Sequence, residues 1–143
     1  MTNRILQGLA ALVLLAPVPA SAAEPLSGTW RMKVGEEVDL RFAPCGEGVC
    51  GLIEDSPGLR ARPDALDHRN SDPKLRTRKL KGVPFLEDMK LAGAAWKGRL
   101  YDPSSGMRMI AILTPAAPDR ILLKGCIAPM MCKTFTLSRV GNG

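Results

Sequence analysis

The sequence WKGRLYDPSSG (residues 96–106) leads directly into the apolar run MRMIAIL (residues 107–113), and together they have the pattern of a β-hairpin. Pro103 presets φ for a turn between the two arms, and Gly106 can adopt the positive φ that closes it. The first arm alternates, with Trp96, Gly98 and Leu100 on one face and Lys97, Arg99 and Tyr101 on the other. A period of two is typical of a half-buried strand, so one face of this hairpin is expected to meet a core.

Further stretches on both sides of the hairpin carry alternating or apolar patterns and are predicted as strands. They cover residues 28–34, 38–42, 49–54, 85–90, 120–126 and 133–140. With the hairpin they make eight antiparallel strands in chain order. We expect an all-β, up-and-down barrel, because closure removes the exposed edges that an open sheet would leave. A flattened sandwich is the alternative, and a barrel of this size either fills with side chains or holds one small ligand.

The strand pattern stops between residues 55 and 74, where prolines, glycine and polar residues leave no apolar periodicity. An irregular segment of this length in a small domain is usually a functional or covering loop, or it contains a short helix. One helical turn is predicted after Asp72, because Pro73 suits the first position of a helix.

The first residues have the pattern of a secretory signal peptide. Arg4 precedes an apolar run, and Ala20-Ser21-Ala22 supplies the small residues of a cleavage site. The run is too short to span a bilayer comfortably, so a retained anchor is the less favoured alternative. We predict a signal peptide over residues 1–22, a single domain over residues 23–143, and a periplasmic or secreted protein that is not integral to a membrane.

Four cysteines lie in the predicted mature chain: Cys45, Cys50, Cys126 and Cys132. An even number in an exported chain favours two disulfides, and each neighbouring pair brackets a short loop, so local pairing is predicted over the crossed pairings. A zinc site would need tighter thiolate spacing or nearby histidines, and His68 is the single histidine. No metal is therefore expected.

The formal net charge of +6 is concentrated in one segment. Residues 55–81 hold eight basic and four acidic side chains. One hypothesis is that Arg76 and Arg78 lie at a barrel mouth and bind an anionic group through forked hydrogen bonds. The alternatives are a solvated cationic loop, or an Asp72–Arg76 pair that holds the loop shut. Nucleic acid is not expected, because aromatic residues are only 4% of this exported chain.

The sequence offers no pairing of a nucleophile with a base. His68 stands alone in the irregular segment, and oxidised cysteines supply no thiolate. Asp67 and Asp72 lie among arginines, where carboxylates are usually salt-bridged. We therefore predict no enzyme activity and no cofactor. An enzyme is the last-ranked alternative, and a buried cluster of an aspartate, an arginine and Tyr101 in a cleft would favour it.

Several motifs resemble those of the exported bacterial family catalogued as domain of unknown function 2147. They are Gly28-x-Trp30, Cys45-x4-Cys50-Gly51, Asp67-x-x-Asn70-x-Asp72-Pro73-x-Leu75-Arg76-x-Arg78-x-Leu80-x-Gly82, Trp96-x-Gly98-x-x-Tyr101-Asp102-Pro103-x-x-Gly106 and Gly125-Cys126-x5-Cys132. The resemblance covers nearly the whole predicted mature chain. It implies a lipocalin-like barrel with no established activity.

The two ends of the predicted domain agree with that resemblance. Lipocalin-like barrels often place an arginine of the last strand over the tryptophan of a first-strand Gly-x-Trp, and Trp30 and Arg139 are the candidates here. The alternative is that Arg139 ends the last strand in solvent.

Taken together, these patterns predict an exported binding protein that holds a small, partly apolar molecule, either neutral or anionic, inside a barrel. The candidate lining residues are Trp30, Leu100, Tyr101 and the methionines, and the candidate polar contacts are Arg76, Arg78 and Arg139. The alternative is a structural or interaction module that recognises an envelope component or a protein through its outer surface. An exposed apolar patch beside residues 55–81, with no internal cavity, would favour that alternative.

Overall fold

A computed structural model describes residues 26–141, and nearly all of the regular structure is β-sheet. The strands are β1 (Gly28–Val34), β2 (Glu36–Cys45), β3 (Gly48–Asp55), β4 (Pro84–Ala92), β5 (Ala95–Asp102), β6 (Met107–Ala117), β7 (Arg120–Ala128) and β8 (Met131–Arg139). Each strand pairs with its neighbours in the chain in antiparallel fashion, as expected for strands joined by short turns.

The sheet closes on itself because β8 also pairs with β1. Trp30 lies opposite Arg139 and Met32 lies opposite Leu137, so the first and last strands form one ladder. The prediction of a closed eight-stranded, up-and-down barrel is confirmed, and the flattened sandwich is excluded.

The alternation read from the sequence decides which side chains fill the barrel. In the central hairpin Leu100 is buried opposite Met109, and Ala111 and Leu113 follow on the same inward face. The sequence left the inward face of β6 open because apolar residues stand on both faces. The structure settles this, since Ile110 points outward and is exposed.

A single long connection, residues 56–83, joins β3 to β4, and we call it the cover. It begins with a short helix, α1 (Pro57–Ala61), whose first turn is capped by the Ser56 hydroxyl accepting from the Leu59 amide. It also contains one turn of 3₁₀-helix at Pro73–Leu75 with Asp72 as its N-cap, which confirms the predicted helical turn. The position of α1 is not evident from the sequence, because Pro57 and Gly58 resemble helix breakers.

The barrel has two different ends, because alternate connections of an up-and-down barrel emerge at the same end. The β1–β2, β5–β6 and β7–β8 turns and the cover lie at one end, which we call the mouth. At the opposite, closed end the Arg139 guanidinium lies 4.4 Å from the centre of the Trp30 ring, and the indole N–H donates to the Ser27 carbonyl. The predicted Trp30–Arg139 contact is therefore present.

Both disulfides are local, as predicted. Cys45 is bonded to Cys50 across the β2–β3 turn, and Cys126 is bonded to Cys132 across the β7–β8 turn. Because these four sulfur atoms are used in disulfides, none is left as a thiolate for zinc.

The predicted signal peptide lies outside the described residues. Within residues 26–141, no helix has the length and apolar character needed to cross a bilayer.

Candidate functional site

A cavity of about 560 Å³ lies at the mouth, between the barrel interior and the cover. Pockets that take small molecules have volumes of about 300–1,000 Å³. The barrel therefore has room for a ligand at one end.

The inner wall of the cavity is apolar because apolar residues of the strands meet apolar residues of the cover. The strands contribute Met32, Val38, Ile53 and Phe85, and the cover contributes Leu59, Ala65, Leu66 and Leu80. Two backbone hydrogen bonds position the cover. The Leu80 amide donates to the Ala65 carbonyl and joins the two halves of the cover, and the Gly82 amide donates to the Ile53 carbonyl and joins the cover to β3. This part of the cavity is suited to an aliphatic or aromatic group.

The rim of the cavity is polar, and its two carboxylates, Glu36 and Asp102, accept hydrogen bonds from neighbouring groups of the chain. Glu36 accepts a hydrogen bond from the Gly58 amide at 3.3 Å, and the Asp102 carboxylate accepts from Ser104 and Ser105. Burial opposes ionisation of Asp102, but those hydrogen bonds outweigh it, so the pKa of Asp102 lies below its ordinary value. Asp102 is thus an anion at neutral pH whose role is to hold the β5–β6 turn.

Three basic or titratable side chains share the same rim. Arg69 donates through one terminal nitrogen to the Ser104 carbonyl at 2.7 Å, which leaves its other N–H groups for a ligand. Arg62 has no carboxylate partner among residues 26–141, and His68 contacts the Leu66 carbonyl through Nδ1. Arg62 and Arg69 therefore provide cationic donors at the rim.

Six of the side chains that the sequence suggested as ligand contacts lie outside the cavity lining: Trp30, Arg76, Arg78, Leu100, Tyr101 and Arg139. Trp30 and Leu100 are part of the packed core, and Arg139 is stacked on Trp30 at the closed end. Arg76 donates through Nε to the Asn70 carbonyl. Of the nominated methionines, Met32 does line the cavity.

Tyr101 and Arg78 belong to a second polar cluster on the outer face of β5, which we call the latch. The latch comprises Asp67, Asn70, Arg78 and Tyr101, of which Asp67, Asn70 and Tyr101 have no exposed surface. Asp67 accepts from the Tyr101 hydroxyl at 2.5 Å, from the Asn70 amide at 2.8 Å and from Arg78 Nε at 2.9 Å.

Arg108 completes the packing around the latch. Its guanidinium lies 4.7 Å from the centre of the Tyr101 ring and donates to Glu87. Tyr101 is therefore sandwiched between the cover and the barrel wall, with its hydroxyl turned to Asp67. The latch fastens the cover to the β5–β6 hairpin.

A buried Asp–Arg–Tyr cluster is also the kind of arrangement that occurs in enzyme sites. Here the oxygens of Asp67 are occupied by groups of the chain itself, and Asp67, Arg78 and Tyr101 are not among the residues that line the cavity. The latch is accordingly positioned for a structural role. The Asp72–Arg76 pair, one of the alternatives for this segment, is not formed: Asp72 Oδ1 accepts from the Lys74 amide, and Arg76 donates to the Asn70 carbonyl.

We expect the phenol of Tyr101 to titrate late. Burial and then the hydrogen bond to Asp67 raise its pKa to about 12 from 10.0. Because the chain has a single tyrosine, the ultraviolet absorbance of phenolate reports this residue alone. The neutral phenol is the form that the folded state favours, so its contribution to stability is complete below pH 10 and is lost as the pH rises through 12.

The matched measurement is the same titration in denaturant, where the pKa should return to about 10. In Asp67→Asn, the native titration should move toward that value. A wild-type midpoint near 10 in the folded protein would contradict the latch geometry.

The cavity-lining leucines of the cover were missed because Leu59, Leu66 and Leu80 stand singly among polar and basic residues. Periodicity detects strands and helices that bury one face, and it gives no signal for isolated side chains on an irregular loop. The available signal was the presence of four leucines, three of which line the cavity, in a segment otherwise rich in charge.

Comparison with known proteins agrees with the fold. A family model described as an uncharacterized protein conserved in bacteria, DUF2147, matches residues 28–139. Among solved structures, the chain is similar to protein HP1028 from the human pathogen Helicobacter pylori, described as belonging to the lipocalin family. Sequence identity is 22% and the TM-score is 0.68, with 82% of this chain and 84% of that chain covered. No curated protein matches the chain.

Proposed function

The chain belongs to the bacterial family DUF2147, whose description states no activity, and from its own cavity we propose that it is an exported, non-catalytic protein that binds a small amphipathic molecule. The lipocalin-like barrel fits small-molecule binding as a class. The two disulfides fit a periplasmic or extracellular location, where they form and persist.

The observation that carries the proposal is the division of the cavity into an apolar wall and a cationic rim. Met32, Ile53 and Phe85 would contact the apolar part of the ligand. Arg62 and Arg69 would bind a carboxylate or another anionic group through charge-assisted hydrogen bonds. The ligand class is therefore an apolar body with one anionic end.

A fluorescently labelled long-chain fatty acid and its methyl ester test this proposal, because they differ only in the anionic group. We expect the mature protein to bind both probes, and Arg62→Gln to weaken the acid by about tenfold while leaving the ester unchanged. Ala65→Phe should weaken both probes at least tenfold, because Ala65 lines the cavity and the added ring occupies it.

The matched control is Ala94→Phe, an exposed position in the β4–β5 turn at the closed end, which should bind as the wild type does. Native mass spectrometry of protein purified without denaturation provides an independent readout of any ligand retained from the cell. The proposal fails if neither probe binds, or if Ala65→Phe binds both as tightly as the wild type.

A further inference from the structure

Exposed apolar side chains concentrate at the mouth of the barrel. Of the nine large apolar residues exposed within residues 26–141, six are near this end: Val34, Leu66, Met107, Ile127, Met130 and Met131. Single exposed apolar residues are normal on a protein surface, but a group at one end indicates contact with another apolar surface.

The most exposed members lie in the β7–β8 turn and at the adjoining strand ends, residues 127–131, which we call the hairpin tip. Ile127 is 60% exposed, Met130 is 94% exposed and Met131 is 62% exposed. The Cys126–Cys132 disulfide ties the base of the tip, so these side chains project from a constrained loop. The tip is therefore a conformationally constrained loop that presents its apolar side chains to solvent.

The cover, which lies at the same end, carries excess positive charge. Within the cover and its flanks, Asp55, Asp64 and Asp67 are each paired with a basic side chain. The basic residues left without a carboxylate partner in the described chain are Arg62, Arg69, Lys74, Arg76 and Lys81. Asp72 is the acidic residue that remains, so this surface keeps a net charge of about +4 (5 − 1).

We propose that the mouth docks on an anionic lipid surface, with the hairpin tip in the headgroup region and the basic cover beside it. An apolar projection next to unpaired lysines and arginines is the combination that binds peripheral proteins to anionic membranes. Phosphates spread over a plane complement cations distributed along a loop. The hairpin tip, Lys74 and Lys81 are not among the residues that line the cavity.

Docking in this orientation would bring the cavity rim against the lipid surface. Arg62 and Arg69 belong both to the rim and to the unpaired cations of the cover. An amphipathic molecule could then pass between membrane and barrel without crossing open water. The docking surface itself does not depend on what the cavity holds.

Flotation with lipid vesicles tests the proposal on the mature protein. We expect binding to vesicles of phosphatidylethanolamine with phosphatidylglycerol, weaker binding to vesicles of phosphatidylcholine alone, and loss of binding as salt is raised. Met130→Glu combined with Met131→Glu should lower the partition to the anionic vesicles by about tenfold or more. The matched control is Leu91→Glu, because Leu91 is 49% exposed at the closed end and should tolerate the charge without effect.

A second variant tests the charge independently of the tip. Lys74→Glu combined with Lys81→Glu changes two exposed side chains and should lower binding to the anionic vesicles by about tenfold or more. The proposal is overturned if the wild type does not float with anionic vesicles, or if both double variants float as it does. Binding to an envelope protein without binding to vesicles would likewise overturn it and assign the surface to a protein partner.

Discussion

Asp67→Ala is expected to lower the free energy of unfolding by about 3–5 kcal/mol. The substitution removes the acceptor shared by Tyr101, Asn70 and Arg78, and it leaves the Arg78 guanidinium without its counter-ion. Breaking a buried ion pair from one side is more destabilising than its net value suggests, because the remaining polar groups stay desolvated. Urea denaturation of the protein followed by circular dichroism measures the change.

Asp64→Ala is the matched control, because it removes another carboxylate of the cover that also forms an ion pair. Asp64 contacts Lys79 at 2.7 Å, but its side chain is 83% exposed. Water replaces such a partner at little cost, so the midpoint of denaturation should stay close to that of the wild type. Equal destabilisation by the two substitutions would show that the latch does not hold the cover.

Gly106→Ala is expected to destabilise the folded state by about 3 kcal/mol or more, for two separate reasons. Gly106 has a φ of +77°, which costs a residue with a Cβ about 1–2 kcal/mol. A Cβ at this position would also lie 2.0 Å from the Arg69 carbonyl oxygen. The overlap is with backbone, so it is relieved only by moving the segment that carries Asn70 of the latch.

Gly82→Ala separates these two effects. Gly82 has a similar φ of +87°, but a Cβ there would have no heavy atom within 4 Å. This variant should show the φ cost alone, about 1–2 kcal/mol. Limited trypsin digestion gives a second readout, because displacement of the cover in Gly106→Ala should expose its lysines and arginines to cleavage. Similar stability and similar digestion of the two variants would contradict the close contact.

The barrel could be predicted from the sequence because its determinants are local. The alternation of residues 96–101 indicated which side of β5 faces the core. The turn at residues 102–106 indicated that β6 is its antiparallel partner. The local disulfides and the turn at Pro73 followed from the same short-range rules. One local ambiguity remained at β6, where apolar residues on both faces hid the inward side until Ala111 and Leu113 were found buried.

The candidate site could not be predicted in the same way, because it depends on where a long loop lies. Arg78 is a residue type that commonly binds anions, and the sequence alone does not reveal that its guanidinium is already bound to Asp67. Tyr101 stands on the outer face of its strand, where the sequence gives no reason to expect burial. Both positions are determined by contacts that join residues 67 and 101, which are 34 apart in the chain.

The pairing of Trp30 with Arg139 has a practical consequence for handling the protein. The first and last strands start and finish side by side at the closed end, so the backbone leaves the barrel on the side opposite the cavity. A tag, a fusion partner or a chemical tether attached near Leu26 or Gly141 would therefore leave the mouth free. Immobilised through either end, the protein would present its cavity outward, toward whatever is added to the solution.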